Sequence, residues 1–237
     1  MDRVLEQLVE RLKKAYGERL KSVILYGSAA AGDHHGKFSD LNVLAVLKEI
    51  TPRELEESSS ILRWWREQGN PSPLLLSEHE VRTSTDCFPI EFHDIKERRR
   101  LLYGEDVVVD LEIDRCFYRA QVEHELRAKL LRLRQKAAGL LCGDSNLLRA
   151  LLADSVSTFC VLFRHALLLS GTESGFEKRQ VVKQAHERFG IETESFDQLL
   201  GLREQKLKPK DIDPARLLGD YMKQIQVVID AVDRLEK

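Results

Sequence analysis

The chain alternates between two hydrophobic periods. Val4, Leu5, Leu8, Val9, Leu12 and Ala15 recur at three- and four-residue intervals among charged positions, predicting an amphipathic helix that ends near Gly17. Ser22-Val23-Ile24-Leu25-Tyr26 follows, a short β-branched and aromatic run stopped by Gly27-Ser28, and reads as a buried strand entering a tight turn. A polar loop containing Gly32, Asp33, His34, His35 and Gly36 leads to Asp40-Leu41-Asn42-Val43-Leu44-Ala45-Val46-Leu47. That segment alternates at its start and is then wholly apolar, as a strand does when it enters a core from a polar rim. Pro52 opens a helix whose apolar face is Leu55, Ile61, Leu62 and Trp65 and which stops before Gly69-Asn70-Pro71. Leu74-Leu75-Leu76 is a short strand candidate, and Leu101-Leu102-Tyr103, ending at Gly104, is a last extended piece. Between them, Ile90-Glu91-Phe92-His93-Asp94-Ile95 alternates with period two, which predicts a strand carrying Glu91 and His93 on one face.

From Arg115 onward the period is helical throughout. Phe117, Val122, Leu126, Leu130, Leu133 and Ala137 outline one long helix. The next, from about Asn146 to Leu169, is apolar almost all round and belongs at the centre of a bundle. Further helices are expected over 178–189, 194–205 and 214–235, with Gly190, Pro209 and Asp213 as breakers. The predicted fold class is therefore α+β: an N-terminal mixed sheet with helices over residues 1–113, followed by an all-α helical bundle over 114–237.

Composition narrows the function classes. A net charge of −2, with 32% charged and 43% hydrophobic residues, is ordinary for a globular protein and offers no bulk attraction to nucleic acid. The local run Arg98-Arg99-Arg100 reads as a solvated face. Cys87, Cys116, Cys142 and Cys160 lie far apart with no C-x-x-C pair, so no zinc knuckle or redox motif is expected. The charged N-terminus is unlike a signal peptide, and no apolar run is expected to span a bilayer, so a cytoplasmic location without membrane partners is anticipated.

The chemistry rests on three segments. Gly27-Ser28 is followed after eleven residues by Asp40-Leu41-Asn42-Val43, and later by Ile90-Glu91-Phe92. Glycine admits close backbone approach, and a serine hydroxyl with neighbouring amides can bind phosphate oxygens. Side chains at i and i+2 of a strand share a face, so Asp40 and Asn42 can converge on one cation. Together these segments resemble the signature of the polymerase-beta superfamily of nucleotidyltransferases, in the minimal or aminoglycoside-type form. The resemblance covers about the first 110 residues. It implies that Gly27 and Ser28 bind a nucleoside triphosphate and that Asp40, Asn42 and Glu91 hold Mg²⁺. Glu91 would be the third ligand or the base that takes the proton of a hydroxyl acceptor, a small molecule or a protein.

Asn42 departs from the pattern, because active members usually carry an acid there. A unit charge about 4 Å from a dication is worth roughly 8 kcal/mol at an effective dielectric of about 20, before desolvation. The alternative is thus a catalytically impaired nucleotidyltransferase-fold module acting through binding, as an antitoxin-like partner does. The helices resemble HEPN or aminoglycoside-nucleotidyltransferase bundles in number and order, which implies an acceptor wall or a homodimer surface. HEPN ribonucleases carry Arg, four to six residues, then His; Arg119 with His124 and Arg179 with His186 fit, although arginine-rich helices produce such matches by chance. His34-His35 reads as solvent-exposed loop, one of Trp64-Trp65 as core, and Asp94 and His93 as at most supports for the metal ligands.

Overall fold

The structure is a computed structural model and describes residues 1–31, 41–113, 116–141, 143–208 and 212–235. It divides into two compact units, Met1–Cys116 and Phe117–Lys237.

In the first unit, α1 (Asp2–Tyr16) buries Leu5, Leu8, Val9, Leu12 and Tyr16 on one face. It is followed by β1 (Leu20–Tyr26), β2 (Asn42–Leu47), α2 (Pro52–Glu67), β3 (Leu74–Ser77), α3 (Glu78–Thr83), α4 (Pro89–Glu97) and β4 (Arg99–Gly104). The four strands form one mixed sheet in the order β3-β2-β1-β4. β1 runs antiparallel to both β2 and β4, and β3 is parallel to β2. The pleat divides the strands between two cores. Val23, Leu25, Val43, Ala45 and Leu47 pack with α1 and with Ile61 and Trp65 of α2. Ile24, Leu44 and Val46 turn the other way, onto Val81 of α3, Phe92 and Ile95 of α4, and Val108.

Local chemistry sets the helix starts. Thr51 and Glu54 form a reciprocal capping box with Pro52 in the first turn of α2, and Ser77 and Glu80 form another before α3. Glu54 is buried, accepts from Thr51 and Arg19, and Arg19 also donates to Glu57. Trp65 is wholly buried with its indole N–H donating to the Pro71 carbonyl, while Trp64 is half-buried. Helix α3 was not anticipated from the hydrophobic pattern, which is too short there to show a period.

The largest departure from expectation is the segment Ile90–Ile95. It is not a strand but the body of α4, entered by Pro89 in its first turn. Proline's fixed φ suits a helix start, and Phe92 and Ile95, three residues apart, bury together under the sheet, which only a helix permits.

The second unit is an all-α bundle of α5 (Tyr118–Ala138), α6 (Ser145–Leu169), α7 (Lys178–Phe189), α8 (Glu194–Arg203) and α9 (Pro214–Asp233). Helix α6 packs against each of the other four. Its Phe159 and Phe163 join Phe196 and Tyr221 in an aromatic core with ring centroids 4.9–5.6 Å apart. Ser145–Leu169 is long and apolar enough to cross a membrane by length and composition, a test that the core helix of a bundle also passes. Its Leu152, Val156, Phe159, Phe163 and Leu167 are instead buried by neighbouring helices, and the same helix buries Arg164 and His165. Tyr118 and His165 share a hydrogen bond, and Arg164 stacks 3.7 Å from the Phe176 ring centre. Of the two Arg and His pairs suggested by spacing, Arg119, Arg179 and His186 are engaged structurally, and His124 is exposed. Arg179 grips Asp197 and Glu204, His186 bonds the Ile191 carbonyl, and Arg119 pairs with Glu123.

Candidate functional site

The turn after β1 is built as the sequence suggests. Gly27 has φ +79°, a left-handed conformation that side chains rarely adopt. Its N–H donates to the Arg98 carbonyl at 3.0 Å, and its own carbonyl accepts from Ala30 at 3.1 Å, closing a short 3-10 turn over Ser28–Ala31. The antiparallel register of β1 and β2 sets Tyr26 opposite Asn42, so the first residue of β2 lies beside the turn. A Cβ placed on Gly27 would stand 3.5 Å from the Asn42 side-chain nitrogen. Glycine here leaves open the space next to the Asn42 amide. Asp40 lies outside the described residues, as do His34 and His35.

The pleat decides which way these groups face. Asn42 is even-numbered like Leu44 and Val46, which bury against α3 and α4, and Tyr26 likewise follows Ile24. Asn42 and Tyr26 therefore share the α4 face of the sheet, both half-buried at its rim. Leu41 and Val43 flank Asn42 and are buried on the opposite side, which anchors the strand.

Glu91 comes from a helix. It sits exposed in the first turn of α4, and Asp94, three residues on, lies on the same helical face and is half-buried. Burial, then the Glu91 and Asp94 carboxylates, raise the Tyr26 phenol above its ordinary value, so both acids stand within electrostatic reach of that ring. His93, half-buried, lies with Nδ1 3.6 Å from the Glu97 carboxylate. The structure thus sets the Gly27 turn beside Asn42, and Glu91 stands within electrostatic reach of Tyr26, the residue paired with Asn42. Residue-by-residue reading passed over Tyr26 and gave Asp94 only a supporting part. The available signal was Pro89: with a helix begun there, 91 and 94 fall on one face.

The basic run is not a free solvated face. Arg99 closes the rim as the β4 residue opposite Tyr26 and pairs with Asp106 at 2.8 Å, while Arg100 pairs with Asp2 at 2.8 Å. No carboxylate comes from the sheet itself: among the described residues, none of the four strands contains Asp or Glu.

Comparison with protein-family models and with curated proteins finds no match. Solved structures do match. The spectinomycin adenyltransferase AAD(9) from Enterococcus faecialis, solved with ATP and spectinomycin, superposes with a TM-score of 0.62 at 13% identity, over 97% of this chain and 98% of that chain. A toxin-antitoxin solved with AMP-PNP aligns at 15% identity over 43% of this chain and 74% of that chain; its TM-score of 0.31 is too low to carry an argument. At such low identity the likeness speaks for architecture alone. The mixed sheet flanked by helices, the glycine turn after its central strand and the superposition on AAD(9) agree that this chain has a nucleotidyltransferase fold.

Proposed function

We propose that the chain is a metal-dependent nucleotidyltransferase that moves a nucleotidyl group from a nucleoside triphosphate to a hydroxyl of a small molecule or protein. The observation that carries this reading is the Gly27 turn set beside Asn42 on a nucleotidyltransferase-fold sheet, with Glu91 within electrostatic reach of Tyr26, the residue paired with Asn42. The structural neighbour solved with ATP supports a nucleotide as donor. Gly27 and Ser28 take the triphosphate, where the absent Cβ lets phosphate oxygens approach the backbone.

The donor set suits a hard cation, since the Asn42 amide oxygen and the Glu91 carboxylate are oxygen ligands of the kind Mg²⁺ prefers. Asp40, Asn42 and Glu91 would hold it, and when bound it neutralises charge on the triphosphate. The protein's own part is positioning and proton transfer. The acceptor oxygen forms a bond to the α-phosphorus as the bond from that phosphorus to the pyrophosphate oxygen breaks. The acceptor's proton passes to the Glu91 carboxylate, whose exposure leaves it open to an incoming hydroxyl.

A second reading is favoured by Asn42 itself and by the lack of acids on the described strands: a module that binds nucleotide, or a partner, without transfer. Calorimetric titration with ATP, GTP, CTP and UTP, each with Mg²⁺ and again with chelator, tests the proposal. Metal-dependent binding that Asp40→Ala abolishes is the expected result. Folded protein that binds no nucleotide overturns the donor site and leaves the partner-binding module.

A further inference from the structure

An asparagine amide has two chemically opposite ends, and the fold decides which of them meets a ligand at the Gly27 turn. The register of β1 and β2 sets Asn42 opposite Tyr26, the residue before Gly27. The Asn42 side-chain nitrogen stands 3.5 Å from where a Gly27 Cβ would lie, and among the described residues beyond Gly27's chain neighbours it is the one atom within 4 Å of that point. The amide oxygen is therefore farther from the open space than the nitrogen. An oxygen atom occupying that space needs to come only about 0.5 Å nearer to reach the usual N–H···O distance of about 3 Å. The turn spends two of its own donors internally, since the Gly27 N–H bonds the Arg98 carbonyl at 3.0 Å and the Ala30 N–H bonds the Gly27 carbonyl at 3.1 Å. The arginines of β4 are matched as well, Arg99 with Asp106 and Arg100 with Asp2. Direct contact with an anion beside Gly27 thus falls to the Asn42 amide, which has two N–H donors where a carboxylate has acceptors alone.

We propose that Asn42 is a phosphate ligand: its amide nitrogen donates a hydrogen bond to a phosphate oxygen of the nucleotide beside Gly27, so part of the nucleotide affinity needs no divalent cation. This deepens the nucleotidyltransferase reading above and rests on it. A carboxylate at position 42 holds a triphosphate only through a cation that bridges the two negative groups. An amide holds it directly, and a hydrogen bond to a charged oxygen is stronger than one between neutral groups. The oxygen at the other end of the same amide stays available to a cation when one is bound. Asparagine at this position therefore exchanges some metal affinity for a metal-independent hold on phosphate.

The experiment is calorimetric titration of ATP into the full chain, as wild type, Asn42→Ala and Asn42→Asp, each with Mg²⁺ and with chelator, with thermal melts to show that each variant is folded. Wild type should bind ATP in chelator, more weakly than in Mg²⁺. Asn42→Ala should weaken that metal-free binding by about tenfold, as the loss of one hydrogen bond to a charged group does. Asn42→Asp should move the two conditions in opposite directions, about tenfold or more weaker in chelator and tighter in Mg²⁺. A residue that merely held the strand in place would weaken both conditions together. If Asn42→Ala does not fold, the opposite signs in Asn42→Asp carry the test. Wild-type binding seen only in Mg²⁺, metal-free binding that either variant leaves unchanged, or a loss in both conditions for Asn42→Asp overturns the inference, with the nucleotidyltransferase reading still standing. Wild-type protein that binds no nucleotide in either condition removes that reading and this inference together.

Discussion

Replacing Gly27 with alanine separates the turn's structural part from its part in binding. The backbone at Gly27 has φ +79°, and holding an alanine in that region costs about 1–2 kcal/mol. Sterics add little, since the new Cβ meets its nearest neighbour, the Asn42 amide nitrogen, at an ordinary 3.5 Å. Gly104 is the internal contrast. Its φ is +77°, but a Cβ there would come within 1.9 Å of the Lys21 carbonyl oxygen, so β1 and β4 must part where Gly104 pairs with Ser22. That overlap raises the expected cost to about 2–5 kcal/mol. Urea unfolding followed by circular dichroism reads both variants, and calorimetric titration reads ATP binding to Gly27→Ala. The methyl group fills the space beside Asn42 where the proposed donor site takes a phosphate, so on that proposal ATP affinity should fall by about tenfold or more, which is 1.4 kcal/mol or more of binding free energy. Equal destabilisation by the two substitutions would refute the steric reasoning. Unchanged ATP affinity in Gly27→Ala would show that this glycine serves the turn alone.

Asn42→Asp should tighten Mg²⁺-dependent ATP binding, because even a fifth of the roughly 8 kcal/mol between a dication and a carboxylate about 4 Å away amounts to about tenfold. It should also lower the melting temperature without metal, since a further acid then joins those of the proposed site, and a rise instead would contradict that crowding. Hydrogen bonding from the Thr51 hydroxyl, opposed by burial and reinforced by the Thr51 amide and Arg19, holds the Glu54 carboxyl down to about 2. A depressed carboxylate lends stability that is full above its ordinary value, about 4.3, and is lost as pH falls towards the folded value. Melts of Glu54→Gln should therefore be flatter than wild type between about pH 4 and 2, and parallel curves would discount the network. Trp65→Ala, at a site with no exposed surface, should cost about 3–5 kcal/mol in urea unfolding, and a loss under about 1 would mean the α2 face repacks freely.

Much of this protein was settled by local pattern. The β-branched run before Gly27, the Pro52 helix start and the helical periods after Phe117 each name an element from within about ten to twenty residues, because propensity, capping and amphipathicity act at that range. The Gly-Ser turn and the polar start of β2 were legible for the same reason. What local pattern could not decide is where these pieces meet. Ile90–Ile95 alternates like a strand, yet Phe92 and Ile95 bury together under Ile24 and Leu44, and that distant surface selects the helix. The pairing of Tyr26 with Asn42, the approach of Glu91 and Asp94 to within electrostatic reach of Tyr26, and the burial of an α6 long enough to cross a membrane are likewise fixed by contacts between segments far apart in sequence. Burial free energy is gained only when those surfaces meet, so sequence by itself determined most of the elements and the candidate chemistry, while tertiary packing decided that 90–95 is a helix and which carboxylates stand within reach of Tyr26.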